Sequence, residues 1–205
     1  TPLSSYKEII LSIKDSLKKN VILTDTGSVK KEVMKIIHNI NLTDVYWIPS
    51  HPIAGTEESG PRAGQAKMFV NRWCVISPPK NCAAEPVKSL KALWEALGSK
   101  VKIMTPEEHD KILSLTSHLP HAIAYNIVRT VNSVEDKLKQ AVIQYSAGGL
   151  RDFTRIASSN PIMWRDIFLQ NKKNTSQMID EFIKNLEELK KAIENDNGKQ
   201  LEEIF

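Results

Sequence analysis

A histidine followed by a proline, a glycine and two polar residues makes His51-Pro52-Ile53-Ala54-Gly55-Thr56-Glu57 the stretch of this chain best suited to chemistry. Imidazole is the side chain that most readily takes and returns a proton near neutral pH. Proline restricts the backbone before it, so His51 is mounted rather than free, and the segment suits a general base. A turn with a surface histidine is the plainer reading. Ser28 is the second candidate, in Asp25-Thr26-Gly27-Ser28-Val29-Lys30 where a strand feeds a helix. Helix N-termini attract anionic groups through free amides and the dipole, although spacing alone favours a plain N-cap.

Gly148-Gly149-Leu150-Arg151-Asp152-Phe153-Thr154-Arg155 joins a glycine pair to two guanidiniums. An arginine fork matches both oxygens of a carboxylate; a surface ion pair of Arg151 or Arg155 with Asp152 is the competing reading. His118 and His121 flank Leu119-Pro120, and with His51 they suggest a metal set. No carboxylate stands at a recognised ligand spacing with them, so helix packing at a proline kink is preferred and no metal is expected. His109, in a first helical turn after Glu107 and Glu108, reads as a surface residue. Trp164-Arg165-Asp166 reads as a core tryptophan with a flanking ion pair.

The elements that must position these residues change character along the chain. Apolar residues at helical spacing from Leu3 to Leu17 predict a helix. Val21 to Thr24 predicts a strand, and Ser28 is expected to cap a helix carrying Val29, Val33, Ile36, Ile37 and Ile40. Val45 to Ile48 predicts a second strand, with His51 in the loop after it. Trp73 to Ile76 and Val101 to Met104 predict two more, separated by a helix that Pro86 opens and Gly98 closes. Strands alternating with helices imply an α/β layer with a mostly parallel sheet. Beyond residue 104 only helices are expected. Thr105-Pro106-Glu107-Glu108 carries the signature of a capping box, Pro120 is expected to kink or break its helix, and Asn160-Pro161 opens another. A long amphipathic stripe runs from Met178 to Ile193, and Asp196-Asn197-Gly198 is a turn. The expected division is residues 1–104 and 105–205.

The totals exclude several functions. A charge of +4, from 28 basic and 24 acidic residues, is small and scattered, which argues against nucleic acid. No apolar run reaches the roughly 18 residues needed to span a membrane. Two cysteines eight positions apart, Cys74 and Cys82, form neither a disulfide framework nor a zinc signature, which suits a cytoplasmic setting. The chain opens Thr1-Pro2-Leu3 without a methionine and reads as a cut edge.

Five motifs in order, DTGSVK at 25–30, HPIAGTEESG at 51–60, SHLPH at 117–121, GGLRDFTRIA at 148–157 and NPIMWRDIF at 160–168, resemble the prephenate/arogenate (cyclohexadienyl) dehydrogenase family of tyrosine biosynthesis. The resemblance covers almost the whole chain. It implies an NAD- or NADP-dependent oxidation of a cyclohexadienol in which hydride leaves ring C4 and the ring carboxylate departs as carbon dioxide. It places the catalytic base on His51 and an orienting hydroxyl on Ser28, with Asp25 and Ser28 on the cofactor side. Arg155 matches a carboxylate-holding residue and His121 a substrate-pocket position. Thr56, Glu57, Gly148, Asp152 and Trp164 match pocket-lining or gating positions. The implied fold is α/β followed by all-α, the distal half of a Rossmann-like domain plus a helical domain that forms a homodimer.

One family feature is missing from the sequence. The family begins with a G-x-G-x-x-G turn and a ribose-binding acid, and these 205 residues contain no such turn. By analogy with that fold, roughly seventy residues precede this chain's first match. The chain alone is therefore expected to bind NAD poorly, to show little or no activity, and to carry an exposed apolar edge unless another chain covers it. Turnover of prephenate by the purified chain at a normal enzymatic rate would sink that expectation. Two rival readings remain: a non-catalytic helical dimerisation or regulatory module, and a different NAD-dependent hydroxyacid dehydrogenase with a lysine base.

Overall fold

A computed structural model of the chain describes residues 2–40, 42–55, 58, 60 and 63–205, the side chain of Lys137 excepted. Short runs of β-branched and aromatic residues form the strands β1 (Val21–Leu23), β2 (Val45–Trp47), β4 (Trp73–Ile76) and β5 (Lys100–Ile103). A further strand, β3 (Ser50–Pro52), lies where a loop was expected. β1 and β2 pair in parallel with Val21 opposite Val45, and β4 and β5 pair in parallel with Cys74 opposite Val101. β3 runs antiparallel to β4 and sets His51 opposite Val75. Pairing continues across the link between β2 and β3, where Ile48 N donates to Leu23 O and Ser77 N to Pro49 O, both at 2.9 Å. The sequence concealed β3 because Ser-His-Pro shows no alternation and Pro52 has no N–H to give. An edge strand tolerates both, and β3 is at the edge of its sheet.

Helices α1 (Tyr6–Ile13), α2 (Lys31–Ile40) and α3 (Ala84–Ala96) cover these strands. Tyr6, Ile10, Val33, Ile37 and Trp47 pack into one core with Trp164 and Ile167, so the helical half closes the same apolar volume as the sheet half. Ile48, Cys74 and Ile76 pack against Leu90 and Trp94 of α3.

After Ile103 every element is helical. Thr105 caps α4 (Pro106–Leu113) through a complete capping box with Glu108. A π-helical turn, Ser114–His118, then leads into α5 (Leu119–Asn132). Pro120 lies in the first turn of α5, where no intrahelical donor is needed. The distortion expected at the proline therefore falls just before it. α6 (Asp136–Gln144) and α7 (Gly148–Ala157) precede α8 (Pro161–Gln170), whose N-cap Asn160 accepts from Ile162 N and Met163 N. The long α9 (Lys172–Glu194) and α10 (Gly198–Ile204) close the chain, with Asn197 capping α10. Among the described residues no helix is long and apolar enough to cross a membrane. β1 has β2 on one side and no described strand on the other, and Ile9 and Leu11 of α1 are exposed.

Candidate active site

The ends of β1 and β3 meet the helical half at a cavity of about 390 Å³, bordered by Ser28, His51, Arg72, His121, Arg155 and Trp164. Five of these residues were singled out in the sequence, from segments more than a hundred positions apart; Arg72 was not.

His51 stands on β3 with its ring almost wholly buried. Its Nδ1 lies 2.8 Å from His109 Nε2, and His109 Nδ1 lies 2.8 Å from Asp110 Oδ1. Burial, with the neighbouring His109, Lys30 and His118, holds His51 well below the ordinary histidine value of 6.5. The imidazole is thus neutral, the form that accepts a proton, throughout the neutral range. His109 corrects the sequence reading: it is fully buried, not a surface residue. α4 turns His109 inward together with Leu113, four positions on and also buried. That spacing was the available signal.

The turn after β1 is built around Lys30. Its side chain is fully buried, with Nζ 2.5 Å from Asp25 Oδ2 and 2.7 Å from Ser50 O. Asp25 also accepts from Gly27 N at 2.9 Å, Ser50 N at 3.2 Å and the Tyr6 hydroxyl at 3.3 Å. Its carboxylate is taken up inside the protein, beneath the turn, and Ser28 is the turn residue at the cavity. A side chain at Gly27 would place its Cβ 2.8 Å from Asp25 Oδ2, the Tyr6 hydroxyl and a Leu3 methyl, so a larger residue here would have to push these side chains aside. Ser28 is not the cap of α2, which begins at Lys31. The amides of Lys30 and Lys31 instead donate to Asp110 Oδ1 and Oδ2, at 2.8 and 3.0 Å. A carboxylate distant in sequence has taken the role expected of a local hydroxyl.

His121 lies on the opposite wall. Its Nδ1–H donates to Ser117 O at 2.9 Å, and its ring stacks on Trp164 at 3.6 Å with 20° between the planes. Trp164 is both the core residue expected and the platform that fixes this imidazole. Arg155 projects from α7, partly exposed, with Asp152 Oδ1 3.5 Å from Nη2. Asp152 and Gly148 belong to α7 but do not border the cavity. Thr56 and Glu57 lie outside the described residues. Arg72 immediately precedes β4 and has no ion pair among the described residues. An arginine before an apolar strand carries no distinctive signal.

Burial gives this region a pH signature. His118, below the site, is pushed down to about 4 by burial, and His51 is lowered in the same direction. Both titrate near the ordinary value when unfolded, so below about pH 6.5 the unfolded chain binds protons that the folded chain does not. Their contribution is intact above that pH and is lost as pH falls, by about 1.4 kcal/mol per pH unit for each histidine, until each folded value is reached. Urea unfolding at about pH 7.5 and about pH 5.5 is expected to show lower stability at the acid value. Equal midpoints with equal slopes would contradict the burial of these rings.

With the geometry in hand, comparison with known proteins gives a consistent result. Residues 1–103 match the nucleotide-binding domain of prephenate dehydrogenase and residues 105–205 its dimerization domain. The chain is 39% identical, over all of its length and 69% of the relative's, to a cyclohexadienyl dehydrogenase of Zymomonas mobilis. It is 33% identical to the prephenate dehydrogenase of Bacillus subtilis over 92% of this chain and 51% of that protein. The crystal structure of Aquifex aeolicus prephenate dehydrogenase in complex with hydroxyphenyl propionate and NAD+ superposes with a TM-score of 0.89 at 36% identity, covering 99% of this chain and 70% of that one. Two matched domains in the same order, over a shared fold, place this chain in the prephenate dehydrogenase family.

Proposed function

We propose that this chain carries the base and substrate pocket of a prephenate or arogenate dehydrogenase. The carrying observation is a buried, neutral His51 on the same cavity as Ser28, His121 and Arg155. In this reading residues 1–104 are part of the nucleotide-binding unit, and residues 105–205 bind substrate and form the homodimer. Exposed apolar side chains on the later helices, Ile143, Ile183, Leu186, Ile193 and Phe205 among them, support a dimer. Two free cysteines, with Cys74 buried, suit a reducing cytoplasm.

The cavity fits the nicotinamide end of NAD(P), because ligands of doubly wound sheets bind at the carboxyl ends of parallel strands, and Ser28 follows β1 there. The bound cofactor would supply the hydride acceptor. His51 accepts the proton of the substrate's 4-hydroxyl as the C4–H bond gives up its hydride. The C1–carboxylate bond then breaks, its electron pair enters the ring, and carbon dioxide leaves. His51 returns its proton to the phenolate oxygen, so the base is regenerated. Ser28 hydrogen-bonds the hydroxyl, Trp164 and His121 shape the pocket wall, and Arg155 holds a carboxylate. By resemblance to the family, Gly148, Asp152, Thr56 and Glu57 take pocket-lining or gating roles, and Asp25 supports the cofactor side through the turn it braces. No glycine-rich phosphate turn occurs in the sequence, so the chain alone is expected to hold NAD weakly.

The test is NADH formation by the chain expressed with its upstream coding sequence, given NAD or NADP with prephenate and, separately, arogenate. Turnover establishes the reaction and names the substrate. Absence of turnover by a folded protein favours the dimerisation module. Within an active enzyme, Arg155→Leu is expected to raise KM for the dicarboxylate by roughly 10- to 100-fold, since a charged hydrogen-bonded contact is worth about 1.5–3 kcal/mol. Steady-state kinetics measure it, and an unchanged KM would remove Arg155 from substrate binding.

A further inference from the structure

The cavity accounts for one edge of the His51 ring; the other edge is held by two residues that the proposed chemistry does not use. We infer that His109 and Asp110 are positioning residues, which fix the tautomer of His51 and, through the same carboxylate, anchor the turn that carries Ser28. The inference rests on the dehydrogenase reading for its kinetic consequence but not for its geometry.

Asp110 is 1% exposed and receives Lys30 N and His109 Nδ1 on Oδ1 and Lys31 N on Oδ2. An ionised carboxylate only accepts, so the hydrogen between it and His109 belongs to His109 Nδ1. A neutral imidazole with Nδ1 protonated presents Nε2 as a lone pair. His51 Nδ1, 2.8 Å from that lone pair, must then carry the hydrogen. His51 Nε2 is left as the bare nitrogen, the only ring atom able to take a substrate proton. Free imidazole side chains prefer the opposite tautomer, so without His109 the base mostly presents an N–H to the substrate instead of a lone pair. The groups facing His51 are His109 on α4, Lys30 from the turn before α2 and His118 from the π-helical turn.

Asp110 also joins the two catalytic groups in space. The amides it accepts open α2, two and three residues after Ser28. Their positive end complements the buried charge. Asn171 Nδ2 donates to Asp110 O at 2.7 Å and ties this arrangement to the start of α9. A shift of Asp110 therefore displaces the Ser28 turn and the His51 support together.

Ring-nitrogen NMR of the histidine-labelled chain at neutral pH tests the geometry without any activity. His51 is expected to be protonated at Nδ1 and bare at Nε2; the reverse assignment overturns the inference. Kinetics of the enzyme restored with its upstream sequence test the consequence. His109→Leu, which removes the acceptor, is expected to lower kcat by about 100-fold with KM within about threefold, and His109→Gln, whose Oε1 can accept from His51 Nδ1, to recover most of it. Equal losses in both variants would mean that His109 only fills space. If the parent enzyme shows no turnover, the function reading fails and the NMR result still decides the tautomer.

Discussion

His51→Asn, in the active enzyme, is expected to lower kcat by roughly 100- to 10,000-fold, the usual contribution of a positioned general base, while KM stays within a few fold. Asparagine suits this test because its amide N–H overlays imidazole Nδ1 and can still donate to His109 Nε2, 2.8 Å away in the parent protein. What disappears is the nitrogen at the Nε2 position. A loss confined to kcat marks an interaction made in the transition state rather than uniform binding. The pH dependence gives a second reading of the same residue. Burial, with His109, Lys30 and His118 beside it, holds His51 well below 6.5, so the acid limb of kcat/KM is expected below that value in the parent and absent from the variant. A drop of less than about tenfold would require another base. Among the described residues Lys30 is the lysine bonded to the β3 backbone beside His51, and its ammonium is already taken up by Asp25 and Ser50 O. Among the described residues no lysine borders the cavity, which argues against a lysine base.

Local signals in the sequence found what local physics determines. Val21–Leu23, Val45–Trp47 and Trp73–Ile76 are short apolar runs whose length suits strands between helices. Thr105 and Asn160 cap their helices through bonds three residues long or shorter. The motif residues Ser28, His51, His121, Arg155 and Trp164 do converge on one cavity. What stayed hidden depends on partners remote in the chain. β3 exists because β4 offers a paired edge, although Ser50, His51 and Pro52 have little strand propensity of their own. His109 reads as surface because its neighbours are glutamates, and its burial follows from the contact with His51, 58 positions away. Ser28 was the obvious cap for α2 by proximity, and Asp110 displaced it from 80 positions away. α7 was obscured by Gly148 and Gly149, which lower helix propensity by about 1 kcal/mol each in a helix interior but here occupy only the first turn.

Lys30→Met is expected to destabilise the chain by about 3–5 kcal/mol, the range for removing one partner of a buried ion pair. The lysine is fully buried and its partner carboxylate is only 6% exposed, so solvent cannot compensate the charge left behind. Burial lowers the pKa of Lys30 and the adjacent Asp25 opposes that shift; removing the cation leaves Asp25 with Gly27 N, Ser50 N and the Tyr6 hydroxyl, hydrogen bonds without a countercharge. The decisive comparison is the double variant Lys30→Met with Asp25→Asn. It removes the uncompensated charge, so its cost should fall short of the two single costs summed, by an interaction energy of the order of 1–3 kcal/mol for groups in contact. Urea midpoints of the parent, both single variants and the double variant close the cycle. Additive single effects would mean that the pair is not coupled, and that Lys30 stabilises the turn only through its bond to Ser50 O. The distinction bears on catalysis as well as stability. Ser50 is bonded to Asp25 through both its backbone N and its hydroxyl, at 3.2 Å to the carboxylate and 2.6 Å to the carbonyl oxygen, and it directly precedes His51. A coupled Lys30–Asp25 pair thus fixes the β3 backbone from beneath, while His109 fixes the imidazole from the side.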